Sequence, residues 1–218
     1  MWGWVKEFLI VVIVALVLSF ILKTFFIQSF WIPSSSMEDT LEQGDRILVT
    51  KFRPGVFDVR AGDMVVFKDP GDWLNLPEPP EPEGAAKIAD AVLTFTGLLP
   101  DDSGEHLVKR VVGMPGDLVE CPTADSAVMV NGVEVSEQYL KVGVRPCGRE
   151  FTAQVPDGYL WVMGDNRDNS ADSRAHQGQP GGGAVPVANV VGTVFVTVWP
   201  SQHWEVHGNP FEGDPEAN

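Results

Sequence analysis

The chain has 218 residues, of which 44% are hydrophobic and 21% are charged. This composition excludes a chain that is disordered throughout, and the length leaves no room for several large globular domains. The 30 acidic and 15 basic residues give a formal net charge of -15, which excludes a basic nucleic-acid-binding surface. We therefore expect one domain of ordinary size with an acidic surface and no nucleic-acid partner.

The N-terminal segment predicts a membrane helix. Residues 8–22 read FLIVVIVALVLSFIL without a charge, and a span over 5–27 is long enough if Lys6 and Lys23 extend to the head groups. A cleavable signal peptide is the alternative, but no A-x-A-like site follows Leu22. We expect residues 1–28 to be retained as a single-pass anchor in a lipid bilayer.

Two features bear on the side of the membrane that the remaining chain occupies. Lys6 precedes the apolar segment and Lys23 follows it, so positive charge does not fix the orientation. Cys121 and Cys147 form either two free thiols or a disulfide, and their spacing matches no metal site. The disulfide is favoured, which indicates an oxidising, extracytoplasmic compartment.

The rest of the chain is predicted to be mainly β, because short segments rich in β-branched and aromatic residues alternate with turn signals. Residues 128–135 read VMVNGVEV, and Asn131-Gly132 predicts a tight hairpin because both residues tolerate positive φ. The predicted strands lie at 46–51, 64–68, 107–112, 158–163 and 190–199.

Two segments interrupt this pattern and are predicted loops. They are 69–84, which contains LPEPPEPEG, and 177–186, which contains GQPGGGAVP. A short surface helix is predicted at 84–96. We divide the chain into an anchor at 1–28, a β-rich domain at 29–205 with an inserted loop region at about 69–104, and an acidic, solvated tail at 206–218.

Two polar segments carry candidate reactive side chains. Residues 32–41 read IPSSSMEDTL, which alone is explained by a serine-rich turn or helix cap. In LVKRVVGMPGD, at 107–117, strand alternation places Lys109 and Arg110 on opposite faces, so one cation should point inward. An inward lysine loses hydration, which lowers its pKa and allows the amine to accept a proton. A solvated lysine on an edge strand is the alternative.

A third polar segment, GDNRDNSADSR at 164–174, follows a hydrophobic strand. It lacks the glycine and terminal glutamate of an EF-hand, so Asp-Arg pairs that stiffen a loop are favoured over calcium binding. The four histidines form no metal-ligand pattern, and none stands in the context of a Ser-His-Asp enzyme. No metal site is expected.

Taken together and in order, the apolar segment, IPSSSM, GDRILVTK, GDMVVF, KRVVGMPGD and GDNRDNSADSR resemble the motifs of type I signal peptidases. The resemblance runs to about Trp199 and leaves 69–103 and the C-terminal tail poorly matched. It implies a mainly β catalytic domain of signal-peptidase-like fold behind one transmembrane helix. It also implies a membrane-bound serine endopeptidase that removes signal peptides from secretory preproteins, with its catalytic domain on the extracytoplasmic side.

The resemblance also implies residue roles. The serine before Met in P-S-x-S-M is Ser36, the nucleophile, and the lysine of K-R-x-x-G-x-P-G-D is Lys109, the general base. Ser34 would supply a hydroxyl to the oxyanion hole and Ser170 would orient Lys109. No cofactor or metal is implied. Structural roles fall to Asp165, Arg167, Asp172 and Arg174.

Substrates of the family carry small residues at positions -1 and -3, which enter shallow pockets. Candidate pocket residues are Ile32, Met37, Leu41, Leu107 and Val108. Four aromatic residues are placed either in the core or on an apolar face that meets the membrane: Phe25, Phe26, Phe30 and Trp31. A monomer is expected.

The sequence departs from the family pattern at Ser35, where glycine is common, and at Asp39, where proline is common. One alternative function is a catalytically inactive, anchored β domain that binds secreted chains, but Ser36 and Lys109 are both present. A self-cleaving Ser-Lys repressor protease ranks third, because no DNA-binding segment is evident and the chain begins with an apolar helix.

Overall fold

The structure, a computed structural model, describes residues 2–55, 57–71, 73–74 and 106–211. The chain begins with α1 (Trp2–Phe25), and the first strand follows one residue later. The predicted N-terminal helix is therefore present. Among the described residues, however, no helix combines the length and the apolar character needed to cross a membrane. The predicted transmembrane span is not borne out.

Strands follow α1 along the described chain, and they are numbered in chain order. They are β1 (Ile27–Trp31), β2 (Arg46–Thr50), β3 (Met64–Lys68), β4 (His106–Gly113), β5 (Leu118–Cys121), β6 (Met129–Val130), β7 (Val133–Glu134), β8 (Phe151–Gln154), β9 (Tyr159–Met163), β10 (Val185–Pro186), β11 (Val190–Trp199) and β12 (Glu205–Val206).

Short helical turns link several strands. They lie at Phe52–Gly55, Arg167–Asn169, Ser173–Ala175, Pro180–Gly183, Val187–Asn189 and Ser201–His203. The predicted loop at 177–186 therefore contains a turn and β10. The helix predicted at 84–96 and most of the inserted region lie outside the described residues.

The mainly β prediction is confirmed, and all five predicted strands are present within one or two residues of their predicted bounds. The strands pair antiparallel in two sheets. The large sheet has the order β1-β2-β11-β3-β4-β9-β10, with β12 paired to β11, and the small sheet has the order β7-β6-β5-β8. The predicted Asn131-Gly132 hairpin joins β6 to β7, and both residues have positive φ, at 53° and 80°.

Alternating side chains of the strands fill three apolar clusters. One cluster lies beneath the β1-β2 connection, a second lies around β3, β4 and β9, and the third supports the small sheet. The disulfide prediction is confirmed: Cys121 and Cys147 are bonded and their Cα atoms are 5.7 Å apart. This bond ties β5 to the loop that precedes β8.

The C-terminal boundary differs from the one predicted. The proposed break at 205/206 falls inside β12, which pairs with β11. Phe211 was expected to lie in a solvated tail, but its side chain is buried and its ring centroid lies 6.1 Å from that of Tyr139. The acidic composition of the tail predicted that it is solvated. Burial of the Phe211 side chain instead holds the chain against the domain as far as this residue.

Candidate active site

The β1-β2 connection, residues 32–45, carries the serine cluster and is called the serine loop below. Its two ends are pinned together, because the Ile32 amide donates to the Asp45 carbonyl and the Gly44 amide donates to the Ile32 carbonyl, both at 2.9 Å. Between these ends, the Leu41 amide donates to the Met37 carbonyl at 2.7 Å. The side chains of Met37 and Leu41 are buried, so the loop is anchored from below.

Strand β4 brings a lysine to this loop from 73 residues away in sequence. The Lys109 ammonium group donates a hydrogen bond to Ser36 Oγ and a second one, at 3.1 Å, to the Val108 carbonyl. Ser36 is 7% exposed and Lys109 is 2% exposed. The two residues predicted to form the catalytic pair are therefore in direct contact and nearly sealed from water.

Burial has a direct effect on this lysine. Loss of hydration lowers the pKa of Lys109 from its ordinary 10.5 to about 8. The carboxylates of Asp172 and Asp165 oppose this shift through the charge they place nearby, and Arg174 adds to it. A lysine in this position holds a usable neutral fraction near pH 8, which a solvated lysine does not.

The neighbouring cation behaves differently, and the expectation that only one of the two would point inward is wrong. Arg110 is 2% exposed, and its guanidinium binds Asp165 with two hydrogen bonds, at 2.9 and 2.6 Å. It also donates to the Gly62 carbonyl at 2.9 Å and lies 4.0 Å from the ring centroid of Tyr139. Burial alone lowers the pKa of Arg110, but the paired carboxylate outweighs burial and raises it.

The polar loop at 164–174 follows β9 and holds the serine loop in place. The Asn166 amide donates to the Ser36 carbonyl at 3.1 Å, and Asn166 Nδ2 donates to the Ser35 carbonyl at 3.0 Å. Thr40 Oγ1 donates to Asp165 at 2.7 Å. A side chain at Gly164 would place its Cβ 2.5 Å from the Ser36 carbonyl oxygen, so only glycine permits this close approach.

The predicted internal Asp-Arg pairing of the polar loop is present at Asp172 and Arg174. The guanidinium of Arg174 binds both carboxylate oxygens, at 2.8 and 2.7 Å, and the Gly164 amide donates to the same carboxylate at 3.0 Å. Burial alone raises the pKa of Asp172, but the hydrogen bond and charge of Arg174 lower it below its ordinary value. The carboxylate beside the active site is thereby kept ionised.

Arg167 pairs outside its own loop. Its guanidinium binds Glu137, which lies in the segment between β7 and β8, and its Nε donates to the Gly164 carbonyl at 3.0 Å. Arg174 reaches the same region, because its Nη1 donates to the Cys147 carbonyl at 2.8 Å. The disulfide-bonded segment is therefore hydrogen-bonded to the polar loop, which holds the serine loop in place.

The two supporting serines stand differently. Ser34 is exposed, and its Oγ lies 3.3 Å from Ser36 Oγ at the open side of the site. Among the described residues, the buried Ser170 hydroxyl has no hydrogen-bond partner of good geometry, although its interaction with Asp172 helps lower the pKa of that carboxyl. Both lie beside the pair, and their roles stay predictions.

The residues predicted to line substrate pockets divide into two groups. Ile32, Met37 and Leu41 are almost fully buried in the cluster beneath the serine loop, whereas Leu107 and Val108 on β4 are half-buried. Phe30 is also a core residue, while Phe25 and Trp31 are exposed. A role in substrate binding stays a prediction for all five pocket candidates: Ile32, Met37, Leu41, Leu107 and Val108.

Sequence reasoning missed several residues that assemble the site. Thr40 and Asn166 join the serine loop to the polar loop, and Glu137 pairs with Arg167. Asn166 lies inside the polar motif GDNRDNSADSR. The high density of polar residues in this motif was the signal that could have identified Asn166 as part of the site. Glu137 lies 30 positions from Arg167 in an irregular segment, and nothing in its local pattern indicates the pairing.

Comparison with known proteins assigns the family. Residues 1–199 match the profile of the family described as signal peptidase, peptidase S26. The chain is 38% identical to the signal peptidase I of Mycobacterium tuberculosis, over 95% of this chain and 78% of that protein. It is 37% identical to the probable signal peptidase I of Mycobacterium leprae, over 91% and 77%.

A solved signal peptidase I from Enterococcus faecalis aligns with a TM-score of 0.39 and 24% identity, over 63% of this chain and 97% of that one. The assignment is carried by the sequence matches, which span the serine loop, β4 and the polar loop. On those matches, this chain belongs to the signal peptidase family, peptidase S26.

Proposed function

We propose that this chain is a serine endopeptidase that removes N-terminal signal peptides from secretory preproteins, with Ser36 as the nucleophile and Lys109 as the general base. The carrying observation is the hydrogen bond between Lys109 Nζ and Ser36 Oγ in a site nearly closed to water. A hydroxyl in contact with a desolvated amine is the arrangement that nucleophilic catalysis without histidine requires.

The pKa of Lys109 supports this role. With a pKa of about 8, about a tenth of the amine is neutral at pH 7, several hundred times the fraction available at the ordinary 10.5. Neutral Lys109 takes the Ser36 proton as Oγ attacks the scissile carbonyl. The tetrahedral intermediate then collapses, and Lys109 returns that proton to the departing amine of the mature chain.

The second half of the cycle uses the same groups. The signal peptide is left as an ester on Ser36 Oγ, and Lys109 is neutral again. Lys109 then takes a proton from an incoming water, whose oxygen attacks the ester carbonyl, and Ser36 Oγ leaves with that proton restored. The reaction is a hydrolysis whose atoms and charges balance between these two residues and one water.

We assign the oxyanion site to the open side of the serine loop. The Ser34 hydroxyl, 3.3 Å from Ser36 Oγ, is placed to donate to the developing oxyanion beside the Ser36 amide. Ser170 is assigned a supporting role behind Lys109. Its buried hydroxyl packs against Gly164, where an added Cβ would lie 2.3 Å from Ser170 Oγ.

We place the catalytic domain outside the cytoplasm and against a lipid surface. The Cys121–Cys147 disulfide supports an oxidising compartment. Trp31 and Trp199 are both exposed and stand opposite Arg46 on the two flanking strands, and side chains of these types are common at membrane interfaces. Co-sedimentation with anionic vesicles tests the proposed contact with a lipid surface. A chain that stays in the supernatant would contradict this contact.

The central test is cleavage by the detergent-solubilised full chain of a preprotein whose signal peptide ends in Ala-x-Ala, with product measured by mass. We expect cleavage at that junction by the wild type and none by Ser36→Ala or Lys109→Ala. Ser34→Ala should lower kcat by about 10²- to 10³-fold, as loss of one oxyanion donor does. Circular dichroism checks that each variant is folded.

Ser35→Ala is the matched control for Ser36→Ala. The Ser35 hydroxyl accepts a solvent-exposed hydrogen bond from Asn169 Nδ2 at 2.9 Å. We expect this variant to cut normally. An inert wild type would reject the peptidase assignment for this substrate class, and normal cutting by Ser36→Ala or Lys109→Ala would reject the catalytic pair.

A further inference from the structure

The segment that follows β11 lies beyond the residues that the family profile matches, which end at 199. The chain turns at Ser201–His203, pairs back onto β11 through β12, and continues across the sheet to Phe211. We call residues 203–211 the C-terminal clamp. The clamp contacts the serine loop, which supplies Ser36, and the turn before β3, which is hydrogen-bonded to the strand that supplies Lys109.

The first contact reaches the serine loop. His203 Nδ1 lies 2.7 Å from Asp45 Oδ1, and because an ionised carboxylate only accepts, the ring nitrogen is the donor. Asp45 is 2% exposed, and its other oxygen accepts the Glu42 amide at 2.9 Å. Its carbonyl accepts the Ile32 amide, which closes the loop. His203 therefore fixes the residue on which both ends of the serine loop converge.

The second contact reaches the turn before β3. Asn209 Nδ2 donates to the Ala61 carbonyl and to Asp63 Oδ1, both at 2.8 Å, and Asn209 Oδ1 accepts the Phe211 amide at 2.8 Å. Both side chains pack tightly on Gly62, where an added Cβ would lie 2.5 Å from Asn209 Oδ1 and 2.8 Å from Phe211 Cδ2.

That turn supports the strand that carries Lys109. The Gly62 amide donates to the Val111 carbonyl at 2.8 Å, and the Val111 amide donates to the Asp63 carbonyl at 2.9 Å. The Gly62 carbonyl accepts Arg110 Nη1. Asn209 thus lies two hydrogen bonds from β4.

We propose that the C-terminal clamp holds the serine loop and β4 at the separation that catalysis requires, with His203 and Asn209 as positioning residues. The inference rests on the proposed function for its effect on catalysis. Neither side chain touches the reacting atoms. Each binds an aspartate that follows a glycine, Asp45 or Asp63, and each of these aspartates braces one member of the catalytic pair.

The clamp also supplies its own control. His207 Nε2 lies 2.8 Å from Thr197 Oγ1, and the His207 amide donates to the Phe195 carbonyl at 2.9 Å. Both partners belong to β11, which supplies neither Ser36 nor Lys109. Loss of the His207 side chain therefore removes one contact between the clamp and β11 and leaves the contacts with Asp45 and Asp63 in place.

The test compares His203→Ala, Asn209→Ala and His207→Ala in the full chain, with His203→Asn as the conservative variant that keeps a donor for Asp45. Cleavage is measured well below the unfolding temperature and normalised to active sites titrated with a serine-directed acylating reagent. We expect kcat per titrated site to fall about 10- to 100-fold in His203→Ala and Asn209→Ala, with KM nearly unchanged. Small displacements of reacting groups lower the rate of the chemical step by about this factor. His207→Ala and His203→Asn should retain kcat.

Hydrogen exchange of peptides covering 32–45 and 106–113 gives a second readout that needs no activity. Exchange should become faster at 32–45 in His203→Ala and at 106–113 in Asn209→Ala, and in neither peptide in His207→Ala. An unchanged kcat per titrated site in the first two variants, or an equal loss in His207→Ala, would overturn the clamp while leaving the peptidase assignment intact. If the wild type does not cleave, the proposed function fails and the exchange pattern alone decides the clamp.

Discussion

Two adjacent residues on β4 present the same positive charge to two different surroundings. Lys109 and Arg110 are equally buried, at 2% exposure, and point to opposite sides of the strand. Lys109 meets a serine hydroxyl and a backbone carbonyl, both uncharged. Arg110 meets a carboxylate, Asp165, in two-point contact.

This difference explains how one strand supplies both a base and a support. Burial without a directly bound carboxylate penalises the ammonium form, so the pKa of Lys109 falls to about 8. Burial against a carboxylate preserves the guanidinium charge, so the pKa of Arg110 rises. Identical burial therefore yields a titratable group on one side and a permanent ion pair on the other.

Lys109→Arg breaks the comparison most severely. A guanidinium keeps its proton at any working pH, so the variant presents a permanent cation to Ser36 and has no base. We expect kcat to fall by about 10⁴-fold, the upper end of what a positioned general base contributes. The fall in kcat is measured as the rate at which a known concentration of folded enzyme cleaves the Ala-x-Ala preprotein. Activity within a factor of ten of the wild type would mean that Lys109 does not take the proton.

Arg110→Leu tests the other side of the strand. The change strands Asp165 as a buried charge without its guanidinium, which we expect to lower the free energy of unfolding by about 3–5 kcal/mol. Urea denaturation followed by circular dichroism provides the measurement. Arg145→Leu is the matched control, because its pair with Asp168 is solvent-exposed and such pairs contribute less than about 1 kcal/mol. Equal losses of unfolding free energy in the two variants would show that the buried Arg110–Asp165 pair contributes no more to stability than a solvent-exposed pair.

Lys109→Met sharpens the comparison by removing the penalised charge. Below pH 8 the folded and unfolded chains both hold the Lys109 proton, and the folded state bears the full cost of burying it. The difference between 10.5 and about 8 corresponds to about 3 kcal/mol. We expect Lys109→Met to be inactive yet more stable than the wild type by roughly that amount at pH 6.

The stability difference between Lys109→Met and the wild type should also change with pH in a known direction. Between pH 8 and 10.5 the folded chain releases the proton while the unfolded chain keeps it, so wild-type stability rises relative to the variant. The advantage of Lys109→Met in unfolding free energy should therefore shrink between pH 6 and pH 10. A gap that stays constant over this range would mean that Lys109 is not held at a lowered pKa.

The strands and the hairpin were predictable because their signals are local. β11 reads VVGTVFVTVW, and the Asn131-Gly132 turn requires positive φ at both positions, so a short window of sequence contains the whole argument. β1 was missed because its first residue, Ile27, was assigned to the predicted span over 5–27, and only Lys23 and Thr24 separate the apolar segment from FFIQSFW. β5 and β8 are four residues long and half polar, so no short stretch of sequence predicts them as strands.

The candidate site was predictable only in part. Resemblance identified Ser36 and Lys109, whereas physical reasoning from the residues favoured a serine-rich turn and gave no reason for contact across 73 positions. The roles of Glu137 and Tyr139 depend on how the segment between β7 and β8 folds over β4. That segment contains turn residues, Gly143 and Gly148, but no periodicity that predicts where Glu137 and Tyr139 lie. Long-range polar pairing of this kind is a property of the assembled sheets.

The pH dependence of cleavage tests the lysine side of the comparison without a mutation. Only neutral Lys109 accepts the Ser36 proton, so kcat/KM should rise about tenfold per pH unit below 8 and level off above it. Asp172 cannot produce this limb, because Arg174 lowers the pKa of that carboxyl and keeps it ionised throughout the range. Initial cleavage rates from pH 5.5 to 9.5 provide the profile. A limb centred near 6.5 would implicate an imidazole instead of Lys109, whose pKa is about 8.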